Sequence, residues 1–148
     1  MYKHILLPTD GSKLATKAVK EGLRLARILK AQVTTVNVVP EYQMVMDEGF
    51  VLPNAAFLRK RFEEETTKRS KKIIDAVKSD AKAAGVRCKG VTVSSGLPYE
   101  AIIKQARKSG CDLIMMASHG RKGIASILLG SETAKVLTHS TIPVLVVR

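Results

Sequence analysis

The stretch Asp112-Leu113-Ile114-Met115-Met116-Ala117-Ser118-His119-Gly120 changes character at one point, where an unbroken aliphatic run gives way to small and polar residues and then to glycine. A short continuous apolar run bounded by turn residues reads as a strand covered on both faces, not as the alternating strand of a half-solvated sheet. The start of the chain has the same form, His4-Ile5-Leu6-Leu7 followed by Pro8-Thr9-Asp10-Gly11-Ser12. Runs at 32–39, 86–93 and 143–147 complete a set of five, and longer segments of helical period separate them. Alternation of strand and helix implies parallel strands with right-handed crossovers, because antiparallel partners need only short turns. The run 86–93 interleaves Arg87, Lys89 and Thr92 with apolar residues and suits a sheet edge. The expected fold is therefore a doubly wound α/β domain over residues 1–148, with a five-stranded parallel sheet of order 3-2-1-4-5 and helices on both faces. In that order the first and fourth strands are neighbours where the winding reverses, and the ligand crevice of an open α/β sheet lies there, at the strands' carboxyl ends.

Between the first two runs, Ala15, Ala18, Gly22, Leu25, Ala26 and Leu29 form one apolar helical stripe with Ser12 as its N-cap. A second helix, about 54–84, turns Leu58, Phe62, Thr66, Ile73, Val77 and Ala81 inward and stops at Gly85. A third begins at Pro98, presents Ile102, Ile103 and Ala106, and ends at Gly110. A fourth starts near Ser131 and runs through Val136 and Leu137.

Composition narrows the function classes. The chain of 148 residues suffices for one hydrophobic core, and 45% hydrophobic with 26% charged residues is an ordinary globular balance. The apolar run at the start is too short for a signal peptide and no stretch approaches membrane-spanning length, so a cytoplasmic protein that does not enter membranes is expected. Cys88 and Cys111 lack the spacing of a metal knuckle or redox pair and are expected to be free, buried thiols. A net charge of +12 favours anionic partners. Aromatic residues make up only 4% of the chain and no recognised nucleic-acid motif is present, so sequence-specific nucleic-acid binding is not expected.

Two segments lie at the predicted crevice, 8–12 and 117–131. The second is a glycine-bearing loop that ends at a helix start, the layout of a phosphate site: glycine admits backbone N–H groups close to an anion, and the helix N-terminus adds unpaired donors. Ser131 adds a hydroxyl. The alternative is that Gly120 and Gly123 only make turns and Ser131 only caps the helix. Ile124, Ile127, Leu128 and Leu129 are apolar enough to anchor the loop's return into the core. In the first segment, Asp10 is placed to accept from ribose hydroxyls, or else to make an Asx-type cap on the first helix; its position at the crevice favours the ligand role.

The chain resembles the universal stress protein family along essentially its whole length. The resemblance rests on Ile5-Leu6-Leu7-Pro8-Thr9-Asp10-Gly11-Ser12, on the stretch from Asp112 to Gly120, on Leu128-Leu129-Gly130-Ser131 and on Pro143-Val144-Leu145-Val146-Val147. The ATP-binding branch of that family has a signature of Gly, two residues, Gly, nine residues, Gly and Ser or Thr. Gly120, Gly130 and Ser131 match its later positions, while Ala117 stands in place of its first glycine. If that position needs only a small residue at a strand end, alanine serves; if it needs positive φ, the cradle is distorted. The resemblance implies that Pro8, Thr9 and Asp10 line the adenosine side, that Val38 meets adenine through its backbone, and that Ala117, Ser118, His119, Gly120, Gly130, Ser131 and Glu132 lie around the phosphates. It further implies ATP as ligand, with any Mg held mainly by phosphates and water, a homodimer through the final strand, unidentified protein partners and a role in the stress response.

The competing classes separate on motifs. No GxxxxGK[ST] is present, no GxGxxG follows the first strand, and the segment 8–12 is no SGGxDS-like phosphate loop. Phosphoryl transfer would need metal-bound carboxylates and a positioned water beside His119, and only Asp10 and Glu132 are at hand. His4 and His139 have no ligand partners nearby in sequence. A binding, sensing or regulatory module is favoured, with weak ATP hydrolysis at the same site, or loss of nucleotide binding in favour of protein partners alone, as alternatives.

Overall fold

The computed structural model describes residues 1–44, 46–47, 49–51, 53–121 and 129–148. Its elements in chain order are β1 (His4–Pro8), α1 (Lys13–Leu29), β2 (Gln32–Val39), β3 (Met46–Asp47), β4 (Phe50–Val51), α2 (Ala55–Ala83), β5 (Cys88–Ser94), α3 (Pro98–Ser109), β6 (Leu113–Ala117), α4 (Ser131–His139) and β7 (Val144–Val147). Five strands form one parallel sheet in the order β5-β2-β1-β6-β7. With the strands of this sheet counted along the chain, that is the expected 3-2-1-4-5. β3 and β4 form a separate antiparallel pair between β2 and α2, outside the five expected strands.

β1 is the axis of the molecule. Ile5, Leu6 and Leu7 have no exposed surface, and full burial of such a side chain stabilises by about 1.5–3 kcal/mol. Alternation along the strand sends Ile5 and Leu7 into one core, with Val19, Leu23 and Ala26 of α1 and Val77 and Ala81 of α2. Leu6 faces the other core, with Ile102, Ile103 and Ala106 of α3 and Val136 of α4. The helices thus cover both faces in pairs.

The capping residues act as expected. Ser12 accepts the Ala15 N–H at 3.2 Å, Pro98 opens α3, and Gly85 and Gly110 take the left-handed backbone at the ends of α2 and α3. α2 departs from expectation. Its buried residues are Ser70, Ile74, Val77 and Ala81, so the inward isoleucine is Ile74 and not Ile73, which is half-buried. Leu58 is exposed and Phe62 half-buried, because the first half of this 29-residue helix contributes no buried residue. Both cysteines are free, but only Cys111 is buried; Cys88 stands half-buried on the edge strand β5.

Candidate functional site

The seam between β1 and β6 pairs Ile5 with Leu113 and Leu6 with Ile114 and then stops, although β1 continues to Pro8 and β6 to Ala117. The cause lies in β1. Its odd residues turn their backbone to β2, as the Thr9 N–H does to the Val36 carbonyl; its even residues turn to β6, as the His4 carbonyl does to the Asp112 N–H. Pro8 falls in the even register and has no N–H with which to extend the ladder. The two central strands therefore separate at their carboxyl ends, where the crevice is expected.

Two loops meet over this opening. Asp10 Oδ1 accepts the Ser12 N–H at 2.9 Å, and Oδ2 accepts the Arg121 N–H at 2.8 Å. The Arg121 guanidinium donates to the Asp10 carbonyl at 3.0 Å, so residues 111 positions apart are tied twice, with Arg121 the donor in both bonds. Burial pushes the Asp10 carboxyl pKa up, but hydrogen bonds from Ser12 and the Arg121 N–H, with the Arg121 charge, outweigh it and leave it below the usual Asp range. The carboxylate is ionised at neutral pH. The Asx-type contact that sequence offered as an alternative reading of Asp10 is thus present, alongside a contact to the second loop that sequence did not suggest. Thr9 is buried: its hydroxyl accepts the Gly11 N–H at 3.2 Å and its carbonyl accepts the Asn37 side-chain amide at 2.8 Å. Pro8 is buried beside it, and Val38 is half-buried near the end of β2, opposite Val93 of β5.

In the second loop, Ser118 donates its N–H to the Val147 carbonyl at 2.7 Å and accepts the Gly130 N–H on its own carbonyl at 2.7 Å. The loop thus leaves and returns at one place. The Ser118 hydroxyl lies 3.1 Å from His119 Nδ1, and the His119 ring is half-buried. Neither Gly120 nor Gly130 is among the glycines with positive φ. They are needed for close approach: a Cβ on Gly120 would sit 2.6 Å from Asp10 Oδ2, and one on Gly130 would sit 2.9 and 3.0 Å from His119 Cβ and Cα. The nearest neighbours of both glycines are therefore parts of the protein. Ala117 ends β6 in register with Val147, and among the described non-glycine residues only Lys30 has positive φ. The backbone there does not take positive φ, so alanine sits at that position without strain.

α4 begins at Ser131 with Gly130 as its N-cap, and no side chain among the described residues caps it. Ser131 is thus the first helical residue and not the cap. Glu132 turns to the neighbouring helix, where Oε2 accepts the Tyr99 N–H of α3 at 2.9 Å and Oε1 pairs with Lys135 Nζ at 3.2 Å. Thr133 donates its hydroxyl to the Ala117 carbonyl at 2.9 Å and fixes α4 to the end of β6. The structure brings together Asp10, Gly120 and Arg121 in one group and Ser118, His119 and Gly130 in another at the same seam. Arg121 and Thr133 escaped sequence reasoning as structural members, since their partners come from distant turns. Of the other loop residues named from sequence, Leu129 is half-buried, whereas Lys122, Gly123, Ile124, Ser126, Ile127 and Leu128 lie outside the described residues.

The profile of the universal stress protein family matches residues 1–148. Universal stress protein MJ0577 of Methanocaldococcus jannaschii is 36% identical over 156 aligned residues, which cover 100% of this chain and 96% of the relative. The solved structure of MJ0577 matches with a TM-score of 0.84 and 32% identity, over 99% of this chain and 96% of that one. A universal stress protein solved in complex with cAMP shares the fold at a TM-score of 0.71 and 24% identity, over 99% and 97% of the two chains. Another from Archaeoglobus fulgidus, in complex with dAMP, shares it at 0.66 and 18%, over 99% and 98%. With the sheet order, the divided central seam and a whole-length match in agreement, this chain belongs to the universal stress protein family.

Proposed function

We propose that this chain binds an adenine nucleotide, ATP, across the β1–β6 seam and acts as a regulatory or sensing module of the stress response. The observation that carries the reading is the arrangement at the opened seam: Asp10 from one loop meets Gly120 and Arg121 of the other, beside an α4 N-terminus that no side chain among the described residues caps. An uncapped helix start offers N–H donors and a positive dipole end to phosphate. The residues present suit the ligand. Pro8, Thr9, Asp10 and the Val38 backbone serve the adenosine side; Ala117, Ser118, His119, Gly120, Gly130, Ser131 and the Glu132 backbone serve the phosphates. The Glu132 carboxylate is held by Tyr99 and turned to α3, which reduces its repulsion of an anion. Mg, where it accompanies ATP, is held mainly by phosphates and water. The complexes of relatives with cAMP and dAMP support an adenine nucleotide as ligand class.

Hydrolysis is slow at most. Asp10 and Glu132, the carboxylates at the site, serve as anchors between elements, Asp10 to the second loop and Glu132 to α3, and are not arranged with His119 as a metal carboxylate, base and water-orienting group. The proposed assembly is a cytoplasmic homodimer through β7, whose outer edge has no strand partner and whose Leu145 is 43% exposed. No helix among the described residues is long and apolar enough to cross a membrane.

Native mass spectrometry and titration calorimetry test the reading. Saturable ATP binding with adenine preference is expected, with a dimer mass that Val146→Asp shifts toward monomer. Absence of binding, or rapid ATP turnover that His119→Ala removes, overturns it.

A further inference from the structure

The charge surplus is unevenly placed. α1 and α2, which cover the same face of the sheet, carry 14 of the 25 basic and six of the 13 acidic side chains, a surplus of eight within the total of +12. Within that layer the two helices differ. Each has a surplus of four, but α2 carries nine basic and five acidic residues and sets four of its cations against i,i+4 partners: Arg59 with Glu63, Lys60 with Glu64, Arg61 with Glu65 and Lys71 with Asp75. α1 has a single acidic residue, Glu21, paired with Arg24.

The cations of α1 are Lys13, Lys17, Lys20, Arg24 and Arg27, at steps of four, three, four and three. At 100° per residue they fall within an arc of about 80° and follow one another over roughly 21 Å of helix axis. All five are exposed, and no other residue of α1 falls inside that arc. Successive charges are separated along the axis by about 4.5–6 Å, less than the screening length of about 8 Å at physiological salt, so their potentials add. Lys17 also donates to the Arg148 carbonyl, which leaves its charge in place on the ridge.

We propose that this ridge binds the phosphate backbone of duplex nucleic acid without reading its sequence. A line of cations one helix wide matches a linear array of phosphates. A bilayer would reward a broad cationic plane or inserted apolar side chains. On the adjoining α2 the basic residues are interspersed with acidic ones, whereas the arc on α1 holds cations alone; the apolar face of α1 is buried in the core, with only Ile28 exposed beside the ridge. The ridge carries neither an aromatic residue to stack on bases nor an Asn or Gln to read their edges, so its contacts are to phosphate alone. The inference does not depend on ATP binding, because none of the five residues is assigned to the nucleotide site.

Fluorescence anisotropy of two unrelated labelled 24-base-pair duplexes against the full chain, across a salt series, tests it. Both duplexes should bind alike, in the range of about 1–100 μM expected for non-specific binding, with a log–log salt slope of about −4 to −5 for five phosphate contacts. Lys13→Gln/Lys20→Gln/Arg27→Gln should weaken binding by about tenfold or more and make the slope shallower by about 3. Lys68→Gln/Lys72→Gln/Lys82→Gln on α2 removes the same net charge and should change the slope by less than about 1. Should the α1 triple variant fold poorly by circular dichroism, Lys20→Gln alone should shift the slope by about 1. Equal losses in the two triple variants, no duplex binding at low salt, or binding to phosphatidylserine vesicles without duplex binding would overturn the proposal.

Discussion

At the amino end of the β1–β6 seam, Asp112 accepts the Lys3 N–H at 2.8 Å and the His4 N–H at 3.0 Å; at the carboxyl end, Asp10 accepts those of Ser12 and Arg121 at 2.9 and 2.8 Å. Both carboxyls lie below the usual Asp range: burial raises each, and hydrogen bonds more than reverse it, from the Ser12 side chain and the Ser12 and Arg121 N–H groups at Asp10 and from the Lys3 and His4 N–H groups at Asp112. Counted as hydrogen bonds, the two are the same. Their surroundings differ. Around Asp112 the polar atoms satisfy one another, with Gln32 donating to His4 Nδ1 and His4 Nε2 lying 2.8 Å from Thr34 Oγ1. Around Asp10 the strands separate, a glycine makes room for the carboxylate, and the adjacent helix start lacks a side-chain cap among the described residues. An interrupted ladder and an uncapped helix start, more than the acidic residue itself, set this end of the sheet apart, and the proposed nucleotide site rests on them.

That contrast can be broken experimentally, and the strongest test is Gly120→Val. Its Cβ would stand 2.6 Å from Asp10 Oδ2, so the two loops must part. ATP affinity measured by calorimetry should fall by at least about 100-fold, equivalent to about 2.7 kcal/mol; affinity within threefold of wild type would show that the Asp10 loop contact is not part of the site. Next is Asp112→Ala, which removes the acceptor of one exposed and one part-buried N–H group at the closed end. Urea unfolding should show a loss of about 0.5–1.5 kcal/mol while ATP affinity stays within about twofold. A large loss of affinity would mean that the two ends are coupled.

A smaller effect comes from acid. Because the Asp10 pKa is depressed in the folded state, the stability it confers is complete above the ordinary Asp range and is lost as pH falls through the folded value. The stability difference between wild type and Asp10→Asn should stay constant from about pH 7 to about pH 5 and shrink below about pH 4. A difference that disappears near neutrality would contradict the depressed value. The smallest effect is expected for Ala117→Gly. The backbone there does not take positive φ, so restoring the family's glycine should leave ATP affinity unchanged and cost about 0.5–1 kcal/mol in strand stability. A severalfold gain in affinity would show that the alanine obstructs the phosphates.

The sheet order was legible in the sequence because the two continuous apolar runs, 4–7 and 112–117, can be buried on both faces only at its centre. The helix ends at Ser12, Gly85, Pro98 and Gly110 were legible because capping is local chemistry. Leu58 misled because periodicity reports which side of a helix is apolar, not whether the core reaches that far. β3 and β4 were missed because two-residue strands have no period. At the site, the residue types were readable but the reasons for them were not. Gly120 is fixed by Asp10, Glu132 by Tyr99 and Thr133 by Ala117, and each pairing crosses between elements that only the folded chain brings together.

The place of β1 in the sheet also bears on how the chain is made. The first strand of this sheet in chain order is the middle one, and its two sides acquire partners at very different times. β2 closes one side after about thirty residues, but the other waits for Leu113. At typical translation speeds of about 5–20 residues per second, that edge goes unpaired for roughly 5–20 seconds of synthesis. During that interval Leu6 and Leu7 lie beside a row of open backbone groups, the kind of surface that chaperones recognise and that promotes aggregation. Ribosome-bound chains stalled before residue 113 should therefore recruit holdase chaperones, and chains stalled after β7 has emerged should release them; equal recruitment by both would show that the open edge is shielded in some other way.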